Sequence, residues 1–180
     1  MSTAPTATSV RWLTSEQQQH WRAFVDASAL LTDALGRQLE RDAELSLSEY
    51  EVLVRLSEAP LRTLRMSVLA DELAHSRSRI THTIRRMEAR GFVERRACLA
   101  DGRGVNAAMT DLGFARLERA APGHVSAVRA NLVDVLTESQ LTALGEAMAT
   151  VRTALRMPCT GLSQAGPARI AEDVARATRS

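Results

Sequence analysis

The stretch from Ser76 to Met109, SRSRITHTIRRMEARGFVERRACLADGRGVNAAM, constrains the fold more than any other part of the chain. In its first half Ile80, Ile84 and Met87 fall within about 60° of one another at the roughly 100° per residue of an α-helix. Ser78, Arg79, Thr81, His82, Arg85 and Arg86 project from the opposite side. Gly91 ends that helix. Two short alternating runs, Phe92 to Ala97 and Val105 to Met109, then flank LADGRG, whose Asp-Gly and Arg-Gly content favours a turn. The pattern predicts an amphipathic helix running directly into a β-hairpin.

Charge is focused on the same stretch. It holds eight Arg against three acids, a balance of +5, whereas the whole chain is only +2 and the remainder is therefore negative. All 23 basic residues are Arg. A clustered arginine face points to a polyanionic partner, with a merely solvated basic face as the alternative. At 180 residues and 45% hydrophobic content the chain can bury a core in one compact unit, with a second lobe built from its ends, and it is not a disordered polymer. Cys98 and Cys159 are too few and too distant to form a disulfide framework or a metal knuckle. The N-terminal segment lacks an apolar signal core, and no apolar run approaches the roughly 18 residues that span a bilayer. A cytoplasmic protein without membrane contact is expected.

Residues 1–12 carry no apolar period and read as a flexible arm. Thr14 and Gln17 form a capping-box pattern that opens a long helix to about Arg41, with Trp21, Val25, Leu31, Leu35 and Leu39 as its stripe. A second helix is expected from Ser48 to Glu58, with Ser48 as N-cap, Glu51 three residues on, and Leu47 and Val52 as staple. Pro60 stops it, and Leu61 to Met66 reads as a short extended piece. A short helix from Ser67 to Ala74 precedes the Arg77–Arg90 helix. After the hairpin, Thr110 caps a helix whose apolar side is Leu112, Leu117, Val125, Val128, Leu132 and Val135, with a kink expected at Pro122-Gly123. Thr137 and Gln140 box a last main helix through Leu144, Met148, Val151 and Leu155, and residues 158–180 read as a tail able to form one more short helix.

Three consecutive helices followed by a hairpin describe a winged helix-turn-helix. The fold class is therefore mainly α with a small β-hairpin wing, plus a helical lobe. A helix fits the major groove of B-DNA, where Arg bonds guanine bidentately and Ser, Thr or His reach base edges and phosphates. A hairpin tip can place Arg103 in the adjacent minor groove. No phosphate loop, nucleophile motif or metal-ligand cluster supports an enzyme, a cofactor or a metal site, and His20, His75, His82 and His124 lack ligand spacing.

From about Leu45 to Gly113 the chain resembles the multiple-antibiotic-resistance regulator (MarR) family of bacterial transcription factors. The matching segments are LSEYEVLVRLSE, VLADELAHSRSRITHTIRRMEARGFVERR and DGRGVNAAMTDLG. The last matches the family's wing pattern at Asp101, Arg103, Thr110 and Gly113, with Met109 where Leu is usual. The resemblance, extended over residues 14–156 by the flanking helices, implies a homodimer, dimerised through residues 13–44 and 111–157. Its DNA-binding domain would be residues 45–110. Two recognition helices would then enter successive major grooves of a pseudo-palindrome, about 34 Å apart. Carried onto this sequence, Ser76, Arg77, Ser78, Arg79, Thr81, His82, Arg85 and Arg86 are the recognition-helix candidates. Arg103 is the wing contact, Asp101 orients the wing, and Arg95 and Arg96 touch backbone more than bases.

Family resemblance further implies repression relieved by a small anionic or aromatic effector, for which Trp21, Phe24, Tyr50 and Phe114 are aromatic candidates, each with a core role as the alternative. Two other readings compete. One is redox sensing through a cysteine, for which Cys98 beside Arg95 and Arg96 has the electropositive setting a thiolate needs. The other is a winged-helix module that binds protein, against which the charge of the outer face argues, because interface cores are depleted in charge.

Overall fold

The computed structural model describes residues 10–97 and 104–156, which fall into two units, one ending at Val135 and the other starting at Leu136. Helix α1 (Ser15–Ala43) opens on the capping box expected: Gln17 N donates to Thr14 Oγ1 and Thr14 N to Gln17 Oε1, at 3.2 and 3.0 Å. At about 1.5 Å per residue it is a rod of roughly 44 Å. Only its C-terminal end is buried, through Gln38, Leu39 and Ala43, while Trp21, Phe24, Val25 and Leu30 stand exposed. Glu44 closes it in the left-handed region at φ 49°.

The N-cap of helix α2 (Leu47–Glu58) lies two residues before the position expected from the sequence. Ser46, not Ser48, is its N-cap: Glu49 N donates to Ser46 Oγ and Ser46 N to Glu49 Oε2, at 3.3 and 2.9 Å. The physical reason lies in the flanking residues, because this register places Leu45 before the cap and Tyr50 in the first turn, and both enter the core. Ser48 is left outside the cap, and its hydroxyl accepts from Arg79.

A 3-10 turn (Pro60–Arg62) with Leu61 and Arg62 at positive φ leads into strand β1 (Thr63–Arg65). The extended piece expected here is thus a strand, and it turns the two-stranded hairpin into a three-stranded antiparallel sheet of order β1-β3-β2. Helices α3 (Met66–Glu72) and α4 (Arg77–Ala89) follow, then β2 (Val93–Ala97) and β3 (Val105–Met109). Leu64 pairs with Ala107, as does Arg95 from the other side, so β3 is the central strand and its Ala107 and Ala108 are buried. The α4 stripe of Ile80, Ile84 and Met87 is fully buried against a core that includes Leu53, Leu56, Leu69 and Val93.

Helix α5 (Asp111–Val128) is capped by Thr110, whose Oγ1 accepts from Gly113 N at 3.0 Å and donates to Gly91 O at 2.7 Å. Gly113 has a steric role: a Cβ there would lie 2.2 Å from Phe92 O. The helix continues through Pro122 to Val128, and a π-helical turn, Arg129–Val133, follows it. Pro122 lacks only one donor, and Ser126 Oγ donates to its carbonyl at 2.9 Å. Of the apolar side expected for α5, Leu117 is buried, whereas Leu112, Val125 and Val135 are exposed. In the second unit α6 (Glu138–Arg156) opens on the expected Thr137–Gln140 box, and none of its residues is buried. Residues 1–9 and 157–180, and with them the expected arm (residues 1–12), except Val10, Arg11 and Trp12, and the tail, lie outside the described residues.

Replacing Gly113 with Ala should cost about 2–3 kcal/mol, because backbone at Phe92 cannot yield as a side-chain tip would. Urea denaturation of the variant checks this, and an unchanged midpoint would show that the α5 approach is looser than described.

Candidate nucleic-acid interface

Helix α4 is positioned by its buried stripe, so its opposite face is fixed by default. Ser76 is the N-cap, its Oγ accepting from Arg79 N at 3.2 Å and sharing a 3.0 Å hydrogen bond with Ser78. Thr81 Oγ1 donates to Arg77 O at 2.8 Å. Arg77, Arg79, Thr81, His82 and Arg85 are all exposed. Arg79 Nη2 donates to Ser48 Oγ at 2.9 Å, whereas the side chains of Arg77, His82 and Arg85 make no hydrogen bond or ion pair among the described residues. The helix thus presents unpaired cations beside hydroxyls.

A cleft of about 460 Å³ continues this face toward the sheet, lined by Arg65, Met66, Ser67, Arg77, Thr81, Arg95, Gly104 and Val105. Three guanidinium-bearing residues from β1, α4 and β2 therefore surround one opening. Arg65 was not among the residues expected from the sequence, since its place beside Arg77 and Arg95 depends on β1 pairing with β3. Arg95 is held by Glu88, with Nε and Nη2 each 2.8 Å from Oε2, and this hydrogen bond holds the Glu88 carboxyl below the ordinary carboxylate range. Arg96 pairs with Glu94 at 3.0 Å on the exposed strand. Asp101, Arg103 and Cys98 fall within residues 98–103 and, like Cys159, lie outside the described residues.

Arg86 differs from its neighbours on the helix. Its guanidinium stands 3.5 Å from Oε1 of Glu49, whose side chain is only 5% exposed, and Arg90 stands 3.5 Å from Oε2 of the same carboxylate. The sequence offers one signal for Glu49, its place three residues after Ser46, but Ser48 and Glu51 share that spacing, and the expected cap rests on them instead.

A sequence model of the MarR family matches residues 43–104. Among solved structures the chain is similar to Sco3205, a MarR family transcriptional regulator from Streptomyces coelicolor determined in complex with DNA, at 45% identity and a TM-score of 0.80, over 85% of this chain and 95% of that one. It is also similar to AbsC, a MarR family transcriptional regulator from the same organism, at 38% identity and a TM-score of 0.78, over 83% and 100% of the two chains. The chain belongs to the MarR family. A cysteine-to-serine mutant of MarR from E. coli, determined in complex with operator DNA, shares the fold at 20% identity and a TM-score of 0.68, over 78% and 99% of the chains. No curated protein sequence gave a significant match.

The four aromatic candidates stand in three different settings. Tyr50 is buried and packs against His124 with ring centroids 4.3 Å apart and planes tilted by 45°, and burial pushes its hydroxyl pKa up. Phe114 is covered by the Arg62 guanidinium, 3.7 Å from its ring centroid. Trp21 and Phe24 touch each other, at 5.9 Å, on the exposed part of α1. Among the described residues no group of three or more His, Cys, Asp or Glu could hold a metal ion, and no helix is long and apolar enough to cross a membrane.

Burial lowers the His124 pKa below the ordinary 6.5, and burial together with nearby Arg79 lowers that of His75, with Glu51 opposing. Each has a buried Nδ1 without a partner among the described residues. A histidine with a depressed folded pKa contributes stability that is present above 6.5 and lost as pH falls through the folded value. Urea midpoints should therefore drop between pH 7.5 and 5.5, and His124→Gln should reduce that drop. An equal drop in the variant would remove His124 from the account.

Proposed function

We propose that the chain is a sequence-specific DNA-binding transcriptional repressor that acts as a homodimer on a pseudo-palindromic operator and responds to a small anionic or aromatic effector. The observation that carries the reading is the outer face of α4, where Arg77, Arg79, Thr81, His82 and Arg85 project opposite a fully buried apolar stripe. Arg and the hydroxyls suit base edges in a major groove, and Ser76 and Ser78 at the helix start suit phosphate. The cleft between Arg65, Arg77 and Arg95 suits a backbone phosphodiester, with Arg96 flanking it. Arg103 and Asp101 keep the wing roles implied by the family pattern, contact and orientation respectively. Similarity to Sco3205 at 45% identity supports DNA as the polyanion.

Affinity for random duplex should fall steeply from low to physiological salt, and Arg85→Ala should reduce the slope of log affinity against log salt by about 0.9. Fluorescence anisotropy across a salt series measures both. Binding that is indifferent to salt would overturn the DNA reading.

The homodimer reading is supported by apolar surface that one chain leaves open: Trp12, Trp21, Phe24, Val25 and Leu30 on and before α1, and Met148, Val151 and Leu155 on α6. A 29-residue helix with so little of its stripe covered needs a partner. Trp21 and Phe24 are also the aromatic pair open to an effector. Sedimentation equilibrium should give twice the chain mass, and Trp21→Arg combined with Phe24→Arg should weaken dimerisation with helix content retained. Unweakened association in that variant would remove the α1 stripe from the interface.

A further inference from the structure

Glu49 belongs to α2, yet its carboxylate stands beside two cations at the C-terminal end of α4, Arg86 in its last turn and Arg90 at its C-cap. Its carboxylate does two things at once. Oε2 accepts from Ser46 N at 2.9 Å, which closes the capping box of α2, and the two oxygens stand 3.5 Å from Arg86 and Arg90. Arg90 is tied again, its Nη2 donating to Glu44 O at 2.7 Å and its guanidinium lying 4.7 Å from the Phe92 centroid. Arg86 has no other partner among the described residues, and its side chain is 48% exposed. One turn before it stands His82, on the proposed DNA-facing side.

We propose that Glu49 is the positioning residue of the recognition helix: by holding Arg86 and Arg90 it withdraws Arg86 from the DNA phosphates and fixes the rotation of α4 about its axis, so that preference for the specific site over random duplex depends on a buried carboxylate that contacts no DNA. The inference rests on the DNA-binding reading above. The physics behind it is the contrast between the two kinds of contact. An unrestrained arginine on the outer face adds sequence-independent attraction, whereas base readout requires the other side chains to arrive in one register. A buried, hydrogen-bonded carboxylate is a fixed point, and pairing at the C-terminal half of α4 sets the angle at which Arg79, His82 and Arg85 are offered. The cation pairs are formed across two elements, α2 and α4, so neither helix sets that angle alone.

Glu49→Gln isolates the charge. Gln17 already serves at the equivalent capping-box position of α1, so the substitution keeps the cap, and the freed guanidiniums are partly exposed and can reach solvent. The experiment measures anisotropy of a duplex selected from a random pool by the unsubstituted protein, and of a random duplex, across a salt series. In Glu49→Gln the slope of log affinity against log salt on random duplex should steepen by about 0.9 as Arg86 joins the phosphate contacts. The ratio of specific to random affinity should fall roughly tenfold, the size of one lost base contact. Arg86→Gln should leave the random-duplex slope unchanged, and the double variant should return the slope to the original value.

An unchanged slope and ratio in Glu49→Gln, or lower thermal stability with the slope and ratio intact, would overturn the inference and leave Glu49 as a purely structural cap. If Glu49→Gln does not fold, Arg86→Gln decides alone, because a slope reduced by about 0.9 would show Arg86 already on phosphate and overturn the proposal. Failure of the DNA-binding reading is distinct, since the unsubstituted protein would then bind no duplex in a salt-dependent way.

Discussion

Burial of Ile80, Ile84 and Met87 is the constraint on which the arrangement of the proposed interface depends. A helix of 13 residues has one apolar stripe to hide, and once that stripe is sealed against Leu53, Leu56, Leu69 and Val93 the direction of every other side chain follows from the helical period. Arginine is costly to bury, so a face rich in it cannot compete for the core. The same free energy that folds the domain therefore aims the cations outward. Glu49 refines that aim: hydrophobic burial fixes a helix face to within a side-chain width, whereas a carboxylate shared by two guanidiniums fixes it at defined atoms.

The junction at Phe92 joins the rest of the sheet to this helix. Gly91 turns the chain at φ 75°, Thr110 N donates to Phe92 O at 3.1 Å, and Gly113 lets the first turn of α5 approach that carbonyl. Arg90 and Arg116 stand over the Phe92 ring while donating to Glu44 O and Ala43 O at the end of α1. Cations at the C-terminal carbonyls of a helix are favourably placed. The end of α1, the start of α5 and the end of α4 thus meet around one ring.

What the sequence made legible was what is local. The boxes at Thr14 and Thr137 and the cap at Thr110 involve partners three residues apart, and all three stand where the spacing placed them. Ser46 and Ser48 each have Glu three residues on, so the local rule could not choose between them; burial of Leu45 and Tyr50 did. Strand β1 was legible as an extended piece but its place in the sheet was not, because it pairs with Ala107 and its neighbours on a strand more than forty residues away. On a helical wheel Arg85 and Arg86 both fall on the polar side. Only a tertiary contact with Glu49 separates them. The aromatic candidates illustrate the same limit: residue type gave no hint that Tyr50 and Phe114 were already occupied by His124 and Arg62.

The unpaired stripe of α1 and the fixed orientation of α4 bear on one another. Trp21, Phe24, Val25 and Leu30 lie on the part of α1 that makes no core contact, whereas Leu39 and Ala43 at its other end are buried beside the corner that receives Arg90 and Arg116. A continuous helix transmits displacement along its axis with little bending, since bending it stretches backbone hydrogen bonds on one side. In the proposed dimer, whatever fixes the exposed end of each α1 against its partner therefore also fixes the corner beside each recognition helix. Spacing between two half-sites is then a property of rods and their ends, and an effector that shifts α1 by a fraction of a turn need not touch α4 to misalign it.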